Sequence, residues 1–256
     1  MNKGIAIVTG ASRPKGIGAA ICRELALKGN HVFFTHLTPY DHATGYEDAD
    51  HKWAERFASE LREKGVNVGH MNLDLTDHYA PQTLLDKVES ELGKPTILVN
   101  NATHCEEVSY KELTADILGK HCAVNVQGTC MLTVEFAKRL EGTRIGGRIV
   151  NLVSGQDKSP VGGNLAYITS KGAISAFTRS LATELAPEEI TVNAIDPGPT
   201  NSGSMDQETQ DFLKRKFPTG RIGTPEDAAR LIGFLTSLEA KWVTGQIIHS
   251  DGGFRD

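Results

Sequence analysis

The stretch IAIVTGASRPKGIGAA constrains the fold more than any other part of the chain. Four apolar residues, Ile5, Ala6, Ile7 and Val8, run into a glycine-bearing turn, and the turn runs into a helical pattern from Gly16 onward. An unbroken apolar run of this length suits a strand covered on both faces, as in a parallel sheet. Glycines between such a strand and a helix let bare backbone amides and the positive helix end approach a pyrophosphate. Gly10, Ser12, Arg13, Lys15, Gly16, Ile17 and Gly18 are therefore candidate nucleotide-binding residues.

The same alternation continues to the C-terminus. Strands are expected near 4–9, 31–36, 66–72, 95–100, 147–153, 190–195 and 246–249, with helices between them. Repeated βα units of this kind demand an α/β fold, a doubly wound parallel sheet with helices on both faces. No repeat or linker interrupts residues 1–256, so one domain is expected. Two segments exceed ordinary connection lengths: a polar loop at 37–51, and 198–216, where Gly, Ser and Pro precede a short amphipathic stretch.

Composition removes several function classes. The formal charge is −5 and no basic stripe appears, which argues against a nucleic-acid partner. No apolar run reaches membrane-spanning length, and the N-terminus enters a strand without a secretory signal, so a soluble cytoplasmic protein is expected. Cys22, Cys105, Cys122 and Cys130 form no C-x-x-C pair and read as reduced thiols. The 37–51 loop concentrates His42, Glu47, Asp48, Asp50 and His51, donors that a cation accepts, but their pattern reads as a solvated loop and no metal is assigned.

Tyr167 and Lys171 are one helical turn apart in AYITSK, so both project from one helix face. An ammonium beside a phenol favours the ionised form and lowers its pKa from about 10, making it a usable acid and base. Ser154 ends the β-rich run GRIVNLVS, which places it at the carboxyl edge of the sheet, where ligands bind in such folds.

The string TGASRPKGIG resembles the T-G-x-x-x-G-x-G fingerprint of the short-chain dehydrogenase/reductase family, with two extra residues between Gly10 and Gly16. The resemblance extends over nearly the whole chain and implies a Rossmann-type fold. It implies a nicotinamide cofactor, with Asp74 and Leu75 in MNLDL at the adenine end, and Asn101 and Ala102 in NNAT, where Thr103 replaces the family's glycine. It makes Ser154, Tyr167 and Lys171 catalytic, and adds Asn125 as a support for the lysine through a water. It also implies that Tyr167 and Lys171 adjoin the cofactor, with Lys171 on the nicotinamide ribose, that Pro197 and Gly198 in IDPGPT bend around the nicotinamide, and that Thr200 holds its phosphates or carboxamide.

Cofactor choice follows from the end of the second strand. An acidic residue there favours NAD by accepting from the ribose hydroxyls. HVFFTHLT has none; His36, Leu37 and Thr38 take that place, and Arg13 and Lys15 add positive charge nearby, so NADP(H) is expected over NAD(H). The excursion at 198–216 reads as a substrate lid, with Met205, Phe212 and Leu213 as an apolar wall. Overall, the chain looks most like the 3-oxoacyl-carrier-protein reductase branch, which suggests a 3-oxoacyl thioester or similar ketone. Glu188 and Glu189 oppose an acidic carrier protein, leaving that partner open. The same residues fit an NAD-dependent sugar or secondary-alcohol dehydrogenase, and a catalytically silent nucleotide-binding regulator is the reading from another class. The family's habit of assembly points to a homotetramer or homodimer, paired through helices near 110–140 and 164–186.

Overall fold

Each expected apolar run forms a strand: β1 (Ile5–Val8), β2 (His31–His36), β3 (Val68–Asn72), β4 (Ile97–Asn100), β5 (Gly147–Leu152), β6 (Ile190–Asp196) and β7 (Ile247–His249). The computed structural model describes residues 4–37, 40, 48, 50, 52–155, 158, 160 and 162–255. Its seven strands form one parallel sheet in the order β3-β2-β1-β4-β5-β6-β7. The order reverses between β1 and β4, and a crevice opens at the carboxyl ends of strands at such a switch point.

The helices among the described residues are α1 (Ile17–Leu27), α2 (Trp53–Arg62), α3 (Ala80–Glu91), α4 (Ala115–His121), α5 (Thr129–Leu140), α6 (Leu165–Leu185), α7 (Gln207–Lys214) and α8 (Pro225–Leu235). A π-helical segment, Cys122–Gly128, joins α4 to α5. Alternate strand residues feed two cores. Ala6, Val8, Val32, Phe34, Val99 and Val150 pack against Ile21 and Leu25 of α1, Phe57 and Leu61 of α2, and Ile232 of α8. Ile5, Ile7, Phe33, Leu98, Ile149 and Val192 pack the opposite way against Leu84 of α3, Phe136 of α5 and Leu181 of α6. Both faces are covered, so the strands carry no polar alternation.

Polar exceptions occur where β4 and β5 approach the crevice. Asn100 and Asn151 are register partners, and Asn100 Nδ2 donates to Asn151 Oδ1 at 2.8 Å and to Thr133 Oγ1 at 2.9 Å. Asn151 Nδ2 donates to Thr178 Oγ1 at 2.9 Å. These buried bonds tie the sheet to α5 and α6 directly beneath the crevice. The 198–216 excursion contains α7, whose N-cap Asp206 accepts from Thr209 N at 2.8 Å. Of the 37–51 excursion, Leu37, Tyr40, Asp48 and Asp50 are described; His42, Glu47 and His51 lie outside the described residues. Asp48 and Asp50 are paired with Arg13 and Arg56, so neither serves as a free metal donor.

Candidate active site

The glycine turn owes its shape to neighbouring strands. Thr9, buried at the end of β1, accepts through Oγ1 from the amides of Asn101 and Ala102, both at 3.0 Å. The Asn101 side chain donates to the carbonyls of Thr9 and Gly10 at 2.8 and 2.9 Å. Gly10 is left-handed, φ 72°, and a Cβ there would sit 2.7 Å from Ala102 Cα; one on Gly18 would meet Gly10 O at 2.6 Å. Side chains are thus excluded at both positions, leaving bare backbone. The inserted Pro14-Lys15 pair forms its own turn, closed by Gly16 N donating to Arg13 O at 3.2 Å, so α1 still starts beside Gly10. No side chain caps α1 and no acid lies in its first turn, an arrangement suited to a phosphate anion.

Gly10, Ser12, Arg13, Gly16, Ile17, Gly18, His36, Asp74, Leu75, Asn101 and Ala102 line one cleft. At its β2 end, Ser12 Oγ accepts from Leu37 N at 3.2 Å, joining the glycine turn to the strand. His36 shares a hydrogen bond with His70 at 3.3 Å, and burial followed by the His70 charge pulls its pKa down to about 4. His36 is therefore neutral at pH 7 and brings no positive charge. Asp74 combines two roles: it lines the cleft, and its Oδ1 accepts from Thr76 N and Oγ1 at 2.9 and 2.8 Å.

Two charges at this rim depart from expectation. Arg13 Nη1 donates to Asp48 Oδ1 at 2.7 Å and to Ser202 O at 3.3 Å, so a carboxylate from the 37–51 excursion sits on the arginine. Lys15 is exposed and outside the cleft lining; its backbone amide donates to Asp48 Oδ2 at 3.2 Å, and its stem lies against Gly203. An insertion turn projects this side chain outward, away from the pocket it was expected to line.

Farther along the carboxyl edge, register aligns the remaining residues. Leu152 pairs with Ile195, so Ser154 and Pro197 each lie two residues beyond a matched pair on adjacent strands. Lys171 of α6 is buried, donates from Nζ to Leu152 O at 2.8 Å and lies 5.5 Å from the centre of the Tyr167 ring. Burial pulls the Lys171 pKa down to about 8. The Tyr167 phenol is pushed up by burial, with Cys105 and Asp196 adding in the same direction. This is opposite to the lowering expected from the tyrosine–lysine spacing, and loss of hydration is its largest cause.

Asn125 lies in the π-helical segment, and its amide is fully used. Oδ1 accepts from His104 N at 2.7 Å and Thr103 Oγ1 at 3.2 Å, while Nδ2 donates to His104 O and Ser170 Oγ, both at 2.9 Å. An amide offers two donors and two acceptor positions. Its side chain therefore braces the turn after β4 against α6. Thr103 replaces a glycine without cost because it is not among the positive-φ residues.

Tyr167, Lys171, Pro197, Gly198 and Thr200 do not line the glycine-turn cleft; they continue along the edge beyond it. Thr200 Oγ1 is bound within its own turn, to the carbonyls of Pro197 and Gly198 at 3.2 and 3.1 Å. From the 198–216 excursion it is Ser202 that reaches the cleft; Met205, Phe212 and Leu213 do not, and Phe212 is 51% exposed with Lys216 over its ring. The cleft is also lined by Leu37 and Thr103, and by Thr35, Tyr40, Leu73, His104, Cys105, Val124 and Ser202, which sequence reasoning did not single out. His104 and Cys105 directly follow NNAT, a signal that could have revealed them.

Comparison with known proteins identifies the family. The family model described as Enoyl-(Acyl carrier protein) reductase matches residues 10–255. The uncharacterized oxidoreductase YjdA of Bacillus subtilis is 52% identical over 251 residues, covering 98% of this chain and 96% of its own. The 3-oxoacyl-[acyl-carrier-protein] reductase of Aquifex aeolicus is 31% identical, with 97% and 96% covered. A solved short-chain dehydrogenase/reductase from Serratia marcescens superposes with a TM-score of 0.86 at 33% identity, covering 98% of this chain and 97% of that one. With a glycine turn that admits backbone alone and relatives matched from end to end, the chain belongs to the short-chain dehydrogenase/reductase family of NAD(P)-dependent oxidoreductases.

Proposed function

We propose that this protein is an NADP(H)-dependent reductase converting a ketone, a 3-oxoacyl thioester or a similar carbonyl, to a secondary alcohol. The observation that carries this reading is Lys171 and Tyr167 on one face of α6, beside the strand end that carries Ser154. When bound, the nicotinamide supplies the hydride. Gly10, Gly16, Ile17 and Gly18 hold its pyrophosphate, and Asp74, Leu75 and Ala102 line the adenosine side. Pro197, Gly198 and Thr200 form the nicotinamide end.

In the proposed reduction, Tyr167 donates its phenolic proton to the carbonyl oxygen, and the Ser154 hydroxyl hydrogen-bonds that oxygen as charge develops. A phenol held protonated by burial is the form that reduction requires. Lys171 lies behind the phenol with a pKa of about 8, suited to exchanging protons near neutrality. Asn125 is a positioning residue, fixing Thr103 and His104 against α6. The 198–216 segment, which follows the Pro197–Gly198 turn, would serve as a lid; its contact through Ser202 O is with Arg13, on the cofactor side of the edge.

The preference for NADP(H) rests on a β2 end without a carboxylate and on Arg13 beside it. The 3-oxoacyl substrate class draws on the printed function of the Aquifex relative. We extend the reading to a homo-oligomeric protein of the cytoplasm; among the described residues no helix is long and apolar enough to cross a membrane.

The test follows NADPH and NADH consumption with 3-oxoacyl thioesters, simple ketones and sugar lactones, using wild type and Tyr167→Phe. Wild type should turn over a ketone faster with NADPH. The variant should bind NADPH normally and lose about 10²-fold or more in turnover. Near-normal turnover by Tyr167→Phe refutes the catalytic assignment, and equal efficiency with NADH refutes the cofactor assignment.

A further inference from the structure

The rim of the cleft at the end of β2 holds a charge pair that joins the glycine turn to the 37–51 excursion. Arg13 lines the cleft with Ser12, His36 and Leu37, at the strand end where a bound nicotinamide dinucleotide would present its ribose 2′ position. Asp48 already engages this arginine. One carboxylate oxygen takes the Arg13 guanidinium at 2.7 Å and the other takes the Lys15 backbone amide at 3.2 Å. A guanidinium and a turn amide form a donor set that phosphate oxygens also recruit. The pair is shielded, with side-chain exposures of 9% for Arg13 and 16% for Asp48, so solvent screens it less than a surface ion pair.

We propose that Asp48 sets the cofactor preference of this site by competing with a ribose 2′-phosphate for Arg13 and the Lys15 amide. The inference rests on the reading of the cleft as a nicotinamide dinucleotide site. A phosphorylated cofactor must displace the Asp48 carboxylate or lie beside it, and like charges at that separation repel. A cofactor with a free 2′-hydroxyl leaves the Arg13–Asp48 pair intact. Asp48 therefore penalises NADP(H) selectively and narrows the preference that Arg13 creates. It supplies, from the connection that follows β2, the negative charge that His36 and Leu37 lack.

The experiment is fluorescence titration of the intact protein with NADPH and with NADH, comparing wild type, Asp48→Asn, Asp48→Ser and the double variant Arg13→Ala/Asp48→Asn. Thermal unfolding confirms which variants are folded, and the serine variant stands in if the asparagine variant is not. Loss of Asp48 should tighten NADPH binding about 5- to 10-fold and leave NADH within about twofold. The gain should disappear in the double variant. Equal changes for both cofactors, no change, weaker NADPH binding or a gain that survives loss of Arg13 would each overturn the competition. Its outcome is separable from the cofactor assignment: a wild type that binds NADH as tightly as NADPH refutes that assignment, whereas a selective gain for NADPH still supports the role of Asp48.

Discussion

Lys171→Met should make the protein more stable at neutral pH while disabling it. The lysine is buried, and its pKa falls from 10.5 to about 8 because burial disfavours the charged form. A downward shift of that size corresponds to about 3 kcal/mol of instability while the group is protonated in both states. Methionine fills a similar volume without the ammonium, but leaves Leu152 O without the 2.8 Å bond from Nζ. A carbonyl deprived of its partner costs about 1 kcal/mol, so the net gain is about 2 kcal/mol at pH 7. The sign with pH follows from proton binding. Below pH 8 both folded and unfolded wild type carry the proton and the penalty is complete; between 8 and 10.5 the unfolded chain binds more protons, and wild type gains stability as pH rises. The advantage of Lys171→Met should therefore shrink across this window and reverse near its upper end, where only the lost hydrogen bond remains. Urea unfolding of both proteins at several pH values, without cofactor, measures this difference. A variant less stable than wild type at pH 7, or a difference that does not change with pH, would refute the desolvation argument.

Gly18→Ala places a Cβ 2.6 Å from Gly10 O and 2.8 Å from Asn101 Nδ2, and should cost about 1–3 kcal/mol in thermal unfolding while weakening both NADPH and NADH. Unchanged affinity for both would show that the glycine turn is not the pyrophosphate seat. Asn151→Ala removes the acceptor for Asn100 and the donor to Thr178 in the buried layer under the crevice, and should cost about 2–4 kcal/mol by urea denaturation. A loss within 0.5 kcal/mol, the range of surface substitutions, would contradict its role in holding β4 and β5 to the helices.

The strands and the glycine turn were legible because their information is local. Ile5 to Val8 form one unbroken apolar run, and Gly10 takes a left-handed φ of 72° that disfavours a side chain. The insertion at Pro14 and Lys15 was also visible, yet its accommodation was not. Whether it widened the phosphate loop depended on the Gly16 N to Arg13 O bond and on Arg23 Nη1 holding Pro14 O at 3.2 Å. Phe212 suggested a substrate wall by its apolar character, but α7 turns it toward solvent and Lys216.

The sequence by itself determined the strands and the glycine turn, because periodicity and glycine placement follow from backbone sterics, while Asp74, Leu75, Asn101 and Ala102 entered through the family resemblance. Tertiary structure decided the charges. The Tyr167–Lys171 spacing predicts an acidified phenol, but burial raises it and directs the ammonium to Leu152. Arg13 reads as an uncompensated cation until Asp48, 35 residues away, is found against it. Desolvation and through-space pairing depend on the final three-dimensional environment, which no local pattern encodes.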